Sequence, residues 1–183
     1  GNGWDYTGWF TQLGKATGTK IDAATLAQTA VDSFMASYQN SGLNVSLSSV
    51  DTSKLDGLVK AFDAFNEALK TVTTEQKLKI QLAMNKVASF GGANKDYRDL
   101  GDLAKEIDAL DLKTTDGVTL STIDTTAKAL TTAVTEAVKN NQSSIDGATG
   151  ISVYVPEVVD QNYVNTFAVA SLVGINDLYT VIV

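Results

Sequence analysis

One short strand constrains the fold of this 183-residue chain more than any other segment. In residues 151–155 the sequence ISVYV places an apolar side chain at every second position, between a glycine and the single proline of the chain. This alternation is typical of a β-strand with one buried face. A lone strand cannot satisfy its own backbone donors and acceptors, so it requires a sheet. Only the weak strand predicted at 45–50 and the final segment 178–183 could pair with it, and we therefore expect most of the sheet to come from outside this sequence.

The remainder of the sequence is predominantly helical, because apolar residues recur at helical spacing between residues 22 and 140. Asp22 and Asp99 stand where N-caps are expected. The predicted helices run from Asp22 to the stop at Asn40-Ser41-Gly42, from Thr52 or Ser53 to Leu69, over 74–90, over 100–110 and over 121–139. The fold class is thus predicted as α/β, mainly helical with few strands. We divide the chain into an aromatic loop with a short helix (1–20), a helical region (21–147), and a strand with a terminal helix (148–183).

The predicted helix 74–90 has apolar residues most of the way round its circumference. This breadth predicts that the helix is buried on more than one side. The residues concerned are Leu78, Ile80, Leu82, Met84, Val87 and Phe90.

The chain contains no histidine and no cysteine. A Cys–His or Ser–His nucleophile pair is therefore excluded within it, and so are zinc sites built from those ligands. The usual general base at neutral pH is also missing. Composition alone does not exclude a Ser–Lys pair, but no spacing singles one out.

The net charge is −7, with no basic patch to offset it. Nucleic acids and anionic membrane surfaces would be repelled, whereas basic peptides or cations would be attracted. The charges are dispersed along the predicted helices, so solubility alone also accounts for them. No apolar run reaches the roughly 18 residues that a membrane-spanning helix needs.

Three aspartates, Asp96, Asp99 and Asp102, follow one another at intervals of three residues. A calcium loop needs alternating oxygen ligands and a glycine turn, which this segment lacks. The spacing instead suits the start of a helix, where carboxylates interact favourably with the helix dipole. We therefore predict helix capping here, and no metal or other cofactor.

The first ten residues, GNGWDYTGWF, are unusually rich in aromatic side chains. Chain ends are usually frayed, so we expect this stretch to be an interior loop of a larger protein. Its aromatic residues either line a substrate pocket or anchor the segment; both roles hold if Trp4 lies near a site while Trp9 and Phe10 lie in the core. Asp5 is either a pocket carboxylate or the cap of a short helix at 7–15.

Four segments in this order resemble the clostripain-like cysteine peptidases. They are GNGWDYTGWF, VSLSSVDTSKLDGLVKAFDAFNEAL, YRDLGDLAKEI, and GISVYVP with a tyrosine and a phenylalanine shortly after it. The resemblance covers nearly the whole chain and corresponds to the region downstream of the catalytic cysteine. It implies a caspase-like α/β sandwich with a helical addition, cleavage after basic residues by a His–Cys dyad, and a secreted or cell-envelope location in bacteria.

The family's histidine and its Asp-Ala-Cys motif are absent from this sequence, so the resemblance implies no catalytic residue here. The chain alone should be inert, with an N-terminal part of the same peptidase carrying the dyad as its partner. Some family members depend on calcium, but no motif in this chain supports a calcium site.

The resemblance also implies one substrate-binding role. In such enzymes a loop downstream of the cysteine places a carboxylate against the basic side chain of the substrate, and GNGWDY looks like that loop. Asp5 is then the pocket carboxylate, with Trp4 and Tyr6 as its walls. A partly desolvated carboxylate between aromatic rings can bind a guanidinium by paired hydrogen bonds and stacking.

Two alternatives remain open. In the first, the chain is a free-standing, extracellular helical module that binds carbohydrate or peptide through exposed aromatic residues. In the second, it is a degenerate family member that has lost its dyad and binds its ligand without cleaving it.

Overall fold

A computed structural model describes residues 6–15, 21–38, 40–90, 97–114 and 116–155. The helices are α1 (Tyr6–Lys15), α2 (Ala23–Tyr38), a 3₁₀ helix (Thr52–Lys54), α3 (Leu55–Leu69), α4 (Thr74–Met84), α5 (Leu100–Asp108) and α6 (Ser121–Ala137). The strands are β1 (Ser46–Val50), β2 (Ser89–Phe90), β3 (Tyr97–Asp99), β4 (Val138–Ser143) and β5 (Ser152–Tyr154).

The hydrophobic core lies among α3, α4, α5 and α6, and both α3 and α5 pack against α6. The sequence predicts an apolar stripe along the helix 121–139. Four of its residues, Ile123, Ala127, Leu130 and Val134, are buried in α6, whereas the fifth, Val138, is half-buried in β4. Because these residues recur every three or four positions, they lie along one side of the helix. We call α3–α6 together with β2, β3 and β5 the helical body.

Helix α4 differs from the prediction in length and in burial. It begins with a capping box between Thr73 and Gln76, but it ends at Met84 rather than at residue 90. Ile80 is fully buried, whereas Leu78 is 56% exposed and Leu82 is 70% exposed. The prediction of burial on more than one side was therefore wrong, because the described elements cover only one side of α4.

The strand predicted at 151–155 is confirmed as β5, but the prediction that 45–50 could pair with it was wrong. β5 pairs antiparallel with β3, which in turn pairs with β2. The sequence pattern of the three-residue β3 is too short to mark it as a strand. The predicted partner 178–183, like the terminal helix predicted after residue 155, lies outside the described residues.

The strand predicted at 45–50 is confirmed as β1, and it forms a separate two-stranded ribbon with β4. Helix α6 runs directly into β4, so the helix predicted to reach residue 139 ends at Ala137. Asn140 fixes the ribbon by donating its Nδ2 hydrogen to Ser49 Oγ at 2.7 Å. Helix α2 packs on both strands, and α1 packs on α2. We call α1, α2, β1 and β4 the outer layer.

The predicted α/β class is confirmed, with more helix than strand among the described residues. The caspase-like sandwich stays a prediction. None of the described helices combines the length and the apolar character required to cross a membrane.

Candidate functional site

Of the three predicted substrate-binding residues, Tyr6 alone lies within the described part of the chain. Trp4 and Asp5 lie outside the described residues. Tyr6 is the first residue of α1, and its side chain is 47% exposed.

Phe10 lies one helical turn after Tyr6 and is 60% exposed. The centroids of the two rings are 6.3 Å apart. Trp9 is half-buried beside them, with its ring centroid 5.3 Å from that of Phe10. The prediction that Phe10 lies in the core was therefore wrong. The spacing of four residues between Tyr6 and Phe10 was the signal that could have placed both on one side of the helix. We call this pair the α1 aromatic face.

The outer layer positions this face through α2. A Cβ added to Gly8 would lie 3.8 Å from Ser33 Oγ, which shows that α1 approaches α2 closely at this point. Asp22 caps α2 as predicted, because its carboxylate accepts hydrogen bonds from Thr25 N at 2.9 Å and from Thr25 Oγ1 at 2.8 Å. These bonds lower the pKa of Asp22.

On its other side α2 is joined to the ribbon by hydrogen bonds. Asp32 Oδ1 accepts one from Gln28 Nε2 at 2.7 Å and another from Gln142 Nε2 of β4. Helix α1, which carries the α1 aromatic face, therefore packs on a helix that is itself fixed to the ribbon.

A second candidate is the buried carboxylate of Asp99, at the junction of β3 and α5. Its Oδ1 accepts hydrogen bonds from Asp102 N at 3.0 Å and from Thr149 Oγ1. Its Oδ2 accepts from Thr149 N at 2.8 Å and from Gly150 N at 3.2 Å. The predicted capping role is confirmed, and the contacts to residues 149–150 add a long-range role that the sequence pattern does not reveal. Asp96 lies outside the described residues.

Asp102 is also buried, and its Oδ2 accepts a hydrogen bond from Ala88 N at 2.8 Å. Burial raises its pKa, with Asp99 and Glu106 adding to the effect and the Ala88 N–H and Lys105 opposing it. Within the described ranges, no three His, Cys, Asp or Glu side chains are grouped as a metal site would require. Asp99 and Asp102 therefore join chain segments and offer no open ligand site.

A groove of about 480 Å³ lies between α3 and α6. Its walls are mainly small side chains, such as Gly57, Ala61 and Ala133. Its charged lining residues are Lys54 and Glu136, and its two hydroxyl groups are engaged locally. Ser53 Oγ donates to Asp51 Oδ1 at 2.6 Å, within the cap of the 3₁₀ helix, and Thr132 Oγ1 donates to Lys128 O at 2.9 Å. Because both hydroxyl groups of the groove are used in local hydrogen bonds, the α1 aromatic face is the better candidate for substrate contact.

Comparison with known proteins agrees with the family resemblance that the four sequence segments indicate. The chain matches the model of the clostripain family, a peptidase family, over residues 1–177. It matches no curated protein and no solved structure. Because the family match spans nearly the whole sequence, this chain belongs to the clostripain family of peptidases.

Proposed function

We propose that this chain is the substrate-binding, C-terminal part of a clostripain-like cysteine endopeptidase that cleaves after arginine or lysine. One observation carries the proposal: a peptidase-family match over residues 1–177 occurs in a sequence with no cysteine and no histidine. Cysteine peptidases require a thiolate and a base. Both groups must therefore be supplied by another part of the enzyme, which we place N-terminal to this chain and outside the bacterial cytoplasm.

In this proposal the missing part performs the covalent chemistry. The base takes the proton of the cysteine thiol, the thiolate attacks the scissile carbonyl carbon, and the amine leaves with that proton. Water then hydrolyses the thioacyl intermediate, which releases the carboxylic acid and restores the thiol. The present chain binds and orients the substrate. The Asp5 carboxylate accepts hydrogen bonds from the basic side chain, while the rings of Trp4 and Tyr6 stack on its apolar stem. The net charge of −7 attracts a basic peptide to this site.

Reconstitution tests the proposal. This chain and the histidine- and cysteine-bearing part of the same enzyme are expressed separately and mixed, and hydrolysis of arginyl and lysyl fluorogenic peptides is measured. We expect hydrolysis from the mixture and from neither part alone. A matched mixture whose catalytic cysteine is replaced by alanine should be inactive. A folded complex of the two parts without activity would contradict the proposal.

Within the reconstituted enzyme, Asp5→Asn should lower kcat/KM for basic substrates through a higher KM. Losing a hydrogen bond to a charged group corresponds to a fall of roughly 10- to 100-fold. Asp116→Asn, at an exposed position between α5 and α6, is the matched control and should have no effect. If Asp5→Asn instead unfolds the chain, Asp5 is a structural cap.

The exposed rings of Tyr6 and Phe10 also favour a second candidate, a non-catalytic module that binds peptide or carbohydrate. Titration calorimetry of the isolated chain with oligosaccharides and with basic peptides distinguishes the two candidates. Tight glycan binding by an isolated monomer, with no activity on mixing, would support the module.

A further inference from the structure

We propose that the peptide bond between Lys113 and Thr114 is a latent self-cleavage site of this peptidase, and that Gln76 and Asp111 protect it. The bond lies in the connection between α5 and α6. This inference rests on the proposed function, because a peptidase that cleaves after lysine or arginine must leave its own accessible lysines intact.

The first argument is that Lys113 is accessible. Its side chain is 50% exposed and lies outside the helices, and exposed loops are preferred sites of proteolytic cleavage. Lys128 is a poorer target although its side chain is 70% exposed, because it lies within α6. The helix must open there before the backbone can enter an active site. Lys113 therefore has the side chain and the location of a cleavage site.

The second argument is that both backbone groups of the bond are already bonded within the chain. Cleavage requires the carbonyl oxygen to enter an oxyanion hole and the nitrogen to leave as an amine. Here Lys113 O accepts a hydrogen bond from Gln76 Nε2 at 2.6 Å. Thr114 N donates to Val118 O at 2.8 Å, where residues 112–114 pair with residues 118–120. A peptidase must therefore break both hydrogen bonds before it can act.

The third argument is that Gln76 is itself held in place. It is buried, and its Oε1 accepts a hydrogen bond from Thr73 N at 2.7 Å in the capping box of α4. Next to Lys113, the side chain of Leu112 is also buried. Opening the bond would leave the buried amide of Gln76 without its acceptor, which is costly. The protected conformation is therefore fixed to the helical body.

The side chain of Lys113 is engaged as well. Its Nζ lies 2.9 Å from Asp111 Oδ2, and Thr119 Oγ1 donates to Asp111 Oδ1 at 3.2 Å. The carboxylate thus holds the ammonium group that a specificity pocket would have to bind. Because this ion pair is exposed, it contributes less than the buried hydrogen bond of Gln76.

Limited digestion with trypsin tests the protection, with the cut bonds identified by mass spectrometry. Cleavage of a folded chain follows the population of the locally open form. Gln76→Glu keeps an acceptor for Thr73 N but removes the donor to Lys113 O, so cleavage after Lys113 should become roughly tenfold faster. Gln76→Met, which introduces no charge, should have the same effect. Asp111→Asn should accelerate this cleavage only about twofold.

Thr73→Ala is the matched control, because it removes the hydroxyl of the capping box and leaves Gln76 Nε2 bonded to Lys113 O. Cleavage after Lys128 in the same digest reports any general loss of stability. Equal acceleration at both lysines in Gln76→Glu and Gln76→Met would overturn the proposal. So would an equal effect of Thr73→Ala, or rapid cleavage after Lys113 in the wild-type chain.

The reconstituted enzyme separates this inference from the proposed function. The active mixture should cut the Gln76→Glu chain after Lys113 and leave this bond intact in the wild-type chain. A mixture that hydrolyses lysyl peptides without cutting Gln76→Glu there would overturn the self-cleavage site, while the proposed function stands. A mixture that hydrolyses no basic peptide would overturn the proposed function and self-cleavage with it. The trypsin digest decides separately whether Gln76 and Asp111 protect the bond.

Discussion

The helical body and the outer layer bury their apolar residues to very different extents. In the body, large side chains such as Phe65, Leu103 and Leu130 are completely buried. Among the described residues of α1 and α2, the buried side chain is that of Val31, while Phe10 is more than half exposed. The body therefore contains its own hydrophobic core, whereas the outer layer leaves aromatic surface available for other molecules.

The polar contacts of the two regions differ in the same way. Asp99 in the body is fully buried and joins two backbone segments, the start of α5 through Asp102 and residues 149–150 through Thr149 and Gly150. Asp22 in the outer layer is exposed, and its carboxylate accepts hydrogen bonds from Thr25 in the helix that it caps. A buried polar group is costly to leave without its partner, while water can replace the partner of an exposed one. Substitutions in matched pairs, one in each region, can test this contrast.

The largest difference is expected between Asp99→Ala and Asp22→Ala. Asp99→Ala removes the cap of α5 and leaves the buried N–H of Asp102 and the half-buried N–H groups of Thr149 and Gly150 without their acceptor. We expect a loss of about 3 kcal/mol in the free energy of unfolding. Asp22→Ala should cause a clearly smaller loss. Urea denaturation of both variants provides the measurement, and equal losses would contradict the contrast between the regions.

The next effect concerns two helical glycines, Gly101 in α5 and Gly8 in α1. A Cβ at Gly101 would lie 2.5 Å from Thr149 Oγ1, which is too close for a real contact. Gly101→Ala should therefore destabilise the chain by about 2 kcal/mol.

Gly8 is the matched control, because a Cβ there would make an ordinary contact of 3.8 Å with Ser33 Oγ. Gly8→Ala should stabilise α1 by about 0.5 kcal/mol, since alanine has the higher helix propensity. Thermal unfolding gives both values. Destabilisation by both substitutions would show that the outer layer is packed as tightly as the body.

The smallest effect is a pH dependence of opposite sign for two single carboxylates, Asp102 in the body and Asp22 in the outer layer. Burial raises the pKa of Asp102 above its ordinary value of 3.8, so the folded chain binds more protons than the unfolded chain between 3.8 and the raised pKa. The stability due to Asp102 therefore falls as the pH rises through that interval. Hydrogen bonds lower the pKa of Asp22, so its contribution is present above pH 3.8 and is lost as the pH falls through the lowered pKa.

Urea denaturation measures how the free energy of unfolding changes with pH. A range of roughly pH 2 to 7 brackets the ordinary pKa values of carboxyl groups. Asp102→Asn should remove its part of the fall in stability with rising pH. Asp22→Asn should reduce the loss on acidification without abolishing it, because hydrogen bonds also lower the pKa values of Asp51 and Asp111. An unchanged profile in Asp102→Asn would mean that another group causes the first slope.

Local patterns predicted most of the helices and both Asp caps. The apolar period of α6 and the carboxylates of Asp22 and Asp99 act within a few residues, so the sequence displays them directly. The 3₁₀ helix before α3 is a small exception, because its cap is Asp51 rather than Thr52 or Ser53.

The strands that escaped prediction depend on distant partners. β4 has the polar sequence VKNNQS and continues a helical pattern, yet it pairs with β1, where Ser46 lies opposite Ser143. Helix α4 ends early because Ala88 N binds Asp102 and the next two residues form β2. Such pairing between distant segments overrides local propensity.

The candidate site was predicted only in part, for the same physical reason. The exposure of Tyr6 agrees with a pocket wall, whereas the exposure of Phe10 corrects its predicted burial. Whether an aromatic residue on a short helix is covered depends on which neighbouring element it meets. Here α2 contacts one side of α1, and the sequence of α1 alone does not show which side that is.

The junction between α6 and β4 carries a mechanical consequence. Ala137 ends the helix, and the next residue, Val138, begins the strand, so no residue lies between them to act as a pivot. Asp51 N donates to Ala137 O at 2.8 Å and braces the same point. A load applied to the ribbon must therefore bend or unwind the last turn of α6 before the ribbon can swing away, and the backbone transmits that load straight into the hydrophobic interior.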